Sequence, residues 1–173
     1  MKFFKFIAIR FILIIENLNY LPFINIYKLR VYLYSFLLKK IGKNCMIGPH
    51  VSIKCPENLS LGSRVSIHRG TYINAVSGIT IGNHCGISNN CTLSGGQHIH
   101  KSIEIPIKDQ GLIYNPIFIA DDVLIGNNSV VTAGSNIGKG SYIGALTLIS
   151  GKIPEYSVVL GNPCRIISKR NKN

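Results

Sequence analysis

Two of the chain's five histidines, His98 and His100, stand two residues apart in the stretch LSGGQHIHKSIEIPIKDQGLIYNPI, which runs from Leu93 to Ile117. An imidazole titrates near neutrality, so it can remove the proton of a hydroxyl as the oxygen attacks, a task for which an unassisted hydroxyl is too weak. The bland alternative is a loop histidine that caps a turn or faces solvent. His50, His68 and His84 fall at exterior turn positions of a repeat, where the bland alternative is preferred. No Ser or Cys is accompanied by groups that would prepare it as a covalent nucleophile. The five cysteines form neither a disulfide framework nor a metal pattern. Cys45, Cys85 and Cys91 share one inward slot of the repeat and act there as small hydrophobes, while Cys55 lies in a turn and Cys164 near the end. Such usage fits a reduced, cytosolic setting.

The elements that position these histidines follow a period of six. Aliphatic residues recur at Ile41, Ile47 and Ile53, then Leu61, Ile67 and Ile73, then Ile81, Ile87 and Leu93. After the histidine stretch they resume at Ile119, Ile125, Val131, Ile137, Ile143 and Ile149. Gly often follows the aliphatic residue, as at Gly42, Gly62, Gly82, Gly126 and Gly138, and the fourth position on is small or β-branched. Period six fits neither a helix nor a lone strand, but it fits a short strand plus a tight turn. Three such units make a triangular coil, and coils stack through backbone hydrogen bonds with their aliphatic residues inside. This predicts an all-β parallel β-helix of about five coils, roughly 24 Å tall at the spacing of paired strands. The two-residue excesses after Ile53 and Ile73, and the long break after Leu93, all fall on the third face and share one edge of the prism. A loop of that length inside a compact repeat is usually functional.

The chain of 173 residues has room for one domain, here residues 41–168 with the loop at 94–117, preceded by an apolar, basic segment at 1–40 and followed by a basic tail at 169–173. The net charge of +12 does not predict nucleic-acid binding, because much of the excess lies in the first forty residues and no aromatic-interleaved basic motif appears. The apolar run Phe3 to Ile15 is broken by Lys5 and Arg10 and closed by Glu16, so it is too short and too charged for an ordinary spanning helix. It also lacks a small-residue cleavage site. Pro22 separates it from a second apolar stretch, Phe23 to Leu38, ended by Lys39 and Lys40. Two short helices are expected, either lying in a membrane interface with their basic groups near anionic headgroups or capping the open end of the prism.

The repeats IGNHCG, IGNNSV and IGKGSY, with the ending IPEYSVVLGNPCRII, resemble the hexapeptide-repeat acyltransferases over residues 41–168. The loop pattern H-x-H-x-S-x-x-x-P-I-x-x-Q-G, from His98 to Gly111, is similar to that of their sugar and xenobiotic acetyltransferase branch. The resemblance implies a left-handed β-helix, a homotrimer, and O-acetylation of a saccharide by acetyl-CoA in a ternary complex with no acyl-enzyme and no metal. It makes His98, eight residues before Pro106, the general base, and sets Asn74 and Tyr72, in TYIN, at the acceptor. His100 and Ser102 depart from the branch, whose members commonly have an aromatic residue and Asp there. Donor contacts are implied at Asn127, Ala145 and Ser150, with Arg165 near the nucleotide and Lys169 or Arg170 at the 3′-phosphate. Leu124, in VLIG, replaces a Trp that packs on the cofactor in many relatives. The weighed alternatives are N-acetylation of an amino sugar, free or nucleotide-linked, a non-catalytic trimeric scaffold, and a γ-class carbonic anhydrase. Two histidines at spacing two do not supply the zinc triad that the last requires. A cytoplasmic enzyme, peripheral on the inner membrane face and acting on glycan precursors of capsule or lipopolysaccharide, is the expected setting.

Overall fold

The computed structural model describes residues 7, 10–12 and 26–171. Most of the first apolar run, Phe3 to Ile15, and the last two residues lie outside them. The described chain winds as a left-handed parallel β-helix, whose three faces are sheets of six, seven and five strands. Inward residues stack coil on coil, and on the first face Leu59, Ile79 and Ile117 form a second buried column beside that of Leu61. The first face carries Leu61, Ile81, Ile119 and Ile137; the second carries Ile47, Ile67, Ile87, Ile125 and Ile143; the third carries Ile73, Leu93, Val131 and Ile149. These side chains are sealed from solvent. Each is worth about 1.5–3 kcal/mol relative to exposure, which makes the stack the main source of stability.

The five coils expected are present, and part of a sixth follows them. Ile153 and Val159 add two faces of a sixth coil, paired on Ile137 and Ile143. The period-six frame misses them because Ile153 follows Ile149 by four residues, so this corner is tighter than the others. The chain then turns back, and Arg165–Lys169 runs antiparallel along Ser157–Leu160 to close the second face.

Corner geometry explains the glycine and small-residue positions. After the stacked aliphatic residues of the first face, and those of the second up to Ile143, the third residue takes a positive φ, including Asn44, His50, Arg64, His84, Asp122, Asn128, Leu146 and Tyr156. A Cβ on Gly126 would lie 2.5 Å from the Ala145 nitrogen of the next coil, so the close stacking of corners excludes a side chain there. The small residue at the fourth position points inward and donates to a carbonyl one coil up: Thr71 to Ser88 at 2.9 Å, Ser129 to Gly144 at 2.9 Å, Cys91 to Gly126 at 3.2 Å. Cysteine in this slot therefore does more than fill space. Burial pushes the Cys85 and Cys91 thiols up from their ordinary value.

The helix Ile26–Ser35 sits at the foot of the prism. Leu33, Tyr34, Leu37 and Leu38 join the core cluster, and the Tyr34 hydroxyl donates to the Val51 carbonyl at 3.1 Å. Of the two roles expected for this segment, its inner face serves as a cap on the open coil. Its outer side exposes Leu29, Tyr32 and Phe36, the last two in edge-to-face contact at 5.0 Å. Among the described residues no helix is long and apolar enough to cross a membrane.

Candidate active site

The break after Leu93 folds as an antiparallel hairpin, Gly96–His98 against Leu112–Tyr114. It is rooted on the strand of Asn74, whose carbonyl accepts the Gly95 N–H at 3.0 Å. His98 closes the paired segment opposite Leu112, with its ring exposed. Its imidazole meets no hydrogen-bonding partner among the described residues, whereas the His100 ring bonds the His98 carbonyl at 3.3 Å. The two histidines thus differ in role: His100 is tied to the loop backbone, and His98 is open to whatever approaches it.

Gln110 is the fastener of the hairpin tip. Its side-chain oxygen accepts the Ser102 N–H at 3.0 Å, and its amide donates to the carbonyls of Ser102 at 2.9 Å and Ile105 at 2.7 Å. Gly111 follows with φ at +88°, the left-handed turn that starts the return strand. Ser102, which departs from the resembling pattern, still contributes, since its hydroxyl accepts the Glu104 N–H at 3.2 Å. The Gln-Gly pair of the motif is therefore a structural device that holds the tip closed above His98.

Asn74 ends the third-face strand Tyr72–Asn74, one coil below Ser94. Its side-chain oxygen is buried and has no partner. A buried acceptor without a hydrogen bond costs about 1–3 kcal/mol and needs an explanation, for which a ligand is a natural source. Tyr72, two residues earlier, points outward on the same face and is exposed. Acceptor candidates and hairpin root thus share one face and one edge.

The donor candidates divide. Asn127 and Ala145 lie on the corner between the second and third faces, where the Leu146 N–H bonds the Asn127 carbonyl at 2.9 Å. The Asn127 side-chain oxygen accepts from the Asn89 backbone at 3.0 Å and from its side chain at 3.3 Å. This ladder stops at Asn127 because Ala145 has no side-chain acceptor. The backbone N–H groups of both residues are left without described partners at an exposed corner, which suits an extended ligand bearing amides. Ser150 is exposed at the far edge of the third face, and Arg165 starts the closing strand opposite Leu160. Leu124 stands on the second face, packed over Gly86.

The two basic tail residues lie elsewhere. Lys169 pairs with Ser157 at the opposite end of the closing strand from Arg165. Arg170 is committed to the corner between the first and second faces, bonding Asp122 at 3.0 Å and the Gly140 carbonyl at 2.8 Å. Arg165 alone among the three borders the Asn127 corner. The same first–second corner carries its own side-chain ladder, in which the Asp121 carboxylate accepts the Asn83 N–H at 2.6 Å and the Asn83 amide at 3.1 Å, which lowers its pKa. Among the described residues, no group of three or more His, Cys, Asp or Glu could hold a metal ion.

No family model matches the chain. The putative colanic acid biosynthesis acetyltransferase WcaF of Escherichia coli is 32% identical over 145 residues, covering 84% of this chain and 77% of that protein. This chain belongs to the hexapeptide-repeat acetyltransferases. The probable acetyltransferase Rv3034c of Mycobacterium tuberculosis is 33% identical over 132 residues, 76% of this chain, and the match spans 44% of that protein's length. Among solved structures, a galactoside acetyltransferase in complex with coenzyme A superposes with a TM-score of 0.83 at 26% identity, covering 97% of this chain and 81% of that one. Membership accounts for the stacked hexapeptides, the projecting hairpin and the terminal strand together. The buried oxygen of Asn74, the Gln110 fastener and the ladder ending at Asn127 are further features that the amino-acid pattern alone did not reveal, because each depends on which coils are neighbours.

Proposed function

We propose that this acetyltransferase moves the acetyl group of acetyl-CoA onto a saccharide hydroxyl, with His98 as the base. The observation that carries the reading is the partnerless, buried oxygen of Asn74 beside the root of the His98 hairpin. A sugar hydroxyl donating to Asn74 is oriented for attack, and His98 takes its proton as the new C–O bond forms at the thioester carbonyl. The C–S bond then breaks, and the imidazolium returns the proton to the departing sulfur. No acyl-enzyme is required. Two thiols of the inward slot, Cys85 and Cys91, are buried and held protonated, and so are poor nucleophiles.

The donor is proposed to lie along the Asn127–Ala145 corner, its amides meeting the open N–H groups and its nucleotide near Arg165. His98 has no orienting partner among the described residues, so the site is proposed to be completed by a neighbour in a homotrimer, the hairpin of one prism facing the third face of the next. The saccharide names of relatives support a sugar acceptor in polysaccharide assembly. The exposed Leu29, Tyr32 and Phe36 of the capping helix, with Lys28 and Lys39 nearby, support a peripheral position on an anionic membrane surface.

The test is to follow thiol release from acetyl-CoA against a panel of oligosaccharides and nucleotide-linked sugars and to weigh and fragment the product. Ester formation is expected; amide formation would replace the hydroxyl acceptor by an amine, and release with no saccharide product would remove the reading.

A further inference from the structure

The corner that carries Asn127 continues downward into a feature that the acetyl-transfer reading does not use. Backbone hydrogen bonds join Gly70 to Pro49 at 3.1 Å, Asn90 to Arg69 at 2.9 Å and Asn128 to Asn89 at 3.0 Å. Arg69 therefore stands in the same column as Asn127, two coils or about 10 Å below it. A cavity of about 280 Å³ opens here, bounded by His68, Arg69, Asn89 and Pro49 and by Tyr27 of the capping helix. Neither the Arg69 guanidinium nor the His68 imidazole bonds any described residue. Arg170, by contrast, is neutralised by Asp122.

The charge distribution is one-sided. Among the described acidic residues, Asp121, Asp122 and Glu155 belong to the corner between the first and second faces, Glu104 and Asp109 to the hairpin, and Glu57 to the turn after the first third-face strand. None falls on the column of Arg69. The third face itself adds Lys54, the register partner of Asn74 one coil below. An acceptor lying on Tyr72 and Asn74 thus has Lys54 one coil below and, toward the Arg69 column, a stretch that carries no carboxylate, the nearest acidic residues being Glu57 in the turn below and Glu104 and Asp109 on the hairpin.

We propose that the acceptor saccharide bears a phosphate and that Arg69, with His68, holds this phosphate in the cavity while the reacting hydroxyl lies at Asn74. This rests on the acceptor assignment above. Arg69 stands at the corner where the third face begins and Asn74 at the far end of its strand, five residues on and so at most roughly 16 Å away, a separation that the Arg69 side chain shortens and that suits a glycosyl phosphate better than a single neutral sugar. A guanidinium gives a phosphate two parallel N–H donors, a fit that a lysine does not reproduce.

The test is calorimetric titration of the full-length chain, wild type and His98→Ala, with the 1-phosphates of glucose, galactose and mannose and with the corresponding methyl glycosides, at physiological salt. At least one hexose phosphate should bind roughly tenfold or more tightly than its methyl glycoside in both proteins, the scale of a charge-assisted contact. Arg69→Ala should erase that preference and Arg69→Lys should keep only part of it, while coenzyme A binds each variant as it binds wild type. Equal or undetectable binding of both members in all three pairs overturns the proposal. A loss of coenzyme A affinity in Arg69→Ala, with the sugar preference intact, would reassign the cavity to the donor's phosphates and overturn it as well. Since binding is read in His98→Ala too, a failure of the base assignment, seen as unaltered turnover in that variant, is distinguishable from a failure of the phosphate site.

Discussion

Replacing Gln110 by Ala removes three hydrogen bonds at once, those to the Ser102 N–H, the Ser102 carbonyl and the Ile105 carbonyl. Each is a neutral, partly solvated bond whose net worth is about 0.5–1.5 kcal/mol, and water replaces some of the loss, so the tip is destabilised by about 2 kcal/mol. Local opening then becomes roughly thirtyfold more populated. Hydrogen exchange read by mass spectrometry should show faster exchange in peptides covering Ile99 to Gly111, including the Asp109 amide that bonds the Pro106 carbonyl at 2.8 Å. The melting temperature should stay near wild type, because the hairpin lies outside the stacked core, and acetyl transfer should fall because His98 loses its fixed place. Unchanged exchange across the hairpin would refute the fastener. A large fall in melting temperature with intact hairpin protection would refute the separation of loop from core.

Gly126→Ala forces a Cβ against the Ala145 backbone at 2.5 Å and should cost about 1–3 kcal/mol or more, visible as a lower midpoint in urea. The Cys85 and Cys91 thiols titrate above their ordinary value of 9.0 when folded, so the unfolded chain loses these protons first; stability should fall as pH rises through and above 9, and the Cys85→Ser and Cys91→Ser double variant should flatten that fall. Chemical denaturation at pH 7 to 10.5 checks it. Tyr32→Ser with Phe36→Ser should weaken binding of the full chain to vesicles of mixed anionic and neutral lipid by roughly tenfold or more while leaving its melting temperature nearly unchanged, measured by flotation. Absence of wild-type binding at low salt would remove the peripheral-membrane proposal.

The period of six was enough to assign a face to the aliphatic residues of its own frame from Ile41 to Ile149, because each coil must bury a side chain on every face, but it left out Leu59, Ile79 and Ile117, the second buried residue of first-face strands. It did not reveal Ile153 and Val159, where the corner shortens and the frame is lost. The positive φ at each corner left no single-residue mark: Asn44 and Gly70 are natural there, but Arg64, Leu146 and Tyr156 are held by the stack against their own preference. The pattern marks Cys85 and Cys91 only as small hydrophobes, since only the stacked coil supplies the carbonyl that each thiol meets. At the site, the spacing of the loop motif marks His98, and the family resemblance points to Asn74. The orphaned oxygen of Asn74, the triple bond of Gln110, and the separation of Arg170 from Arg165 required knowing which coil follows which.

His98 is proposed to take the acceptor's proton during acetyl transfer. The most direct test is the turnover of full-length His98→Ala with acetyl-CoA and an acceptor found in the saccharide panel, alongside coenzyme A affinity and melting temperature. With His98 as the base, kcat should fall roughly a hundredfold or more in His98→Ala, with coenzyme A affinity and melting temperature near wild type, and much less in His100→Ala. Turnover of His98→Ala close to wild type, in a protein that binds coenzyme A normally, would contradict it.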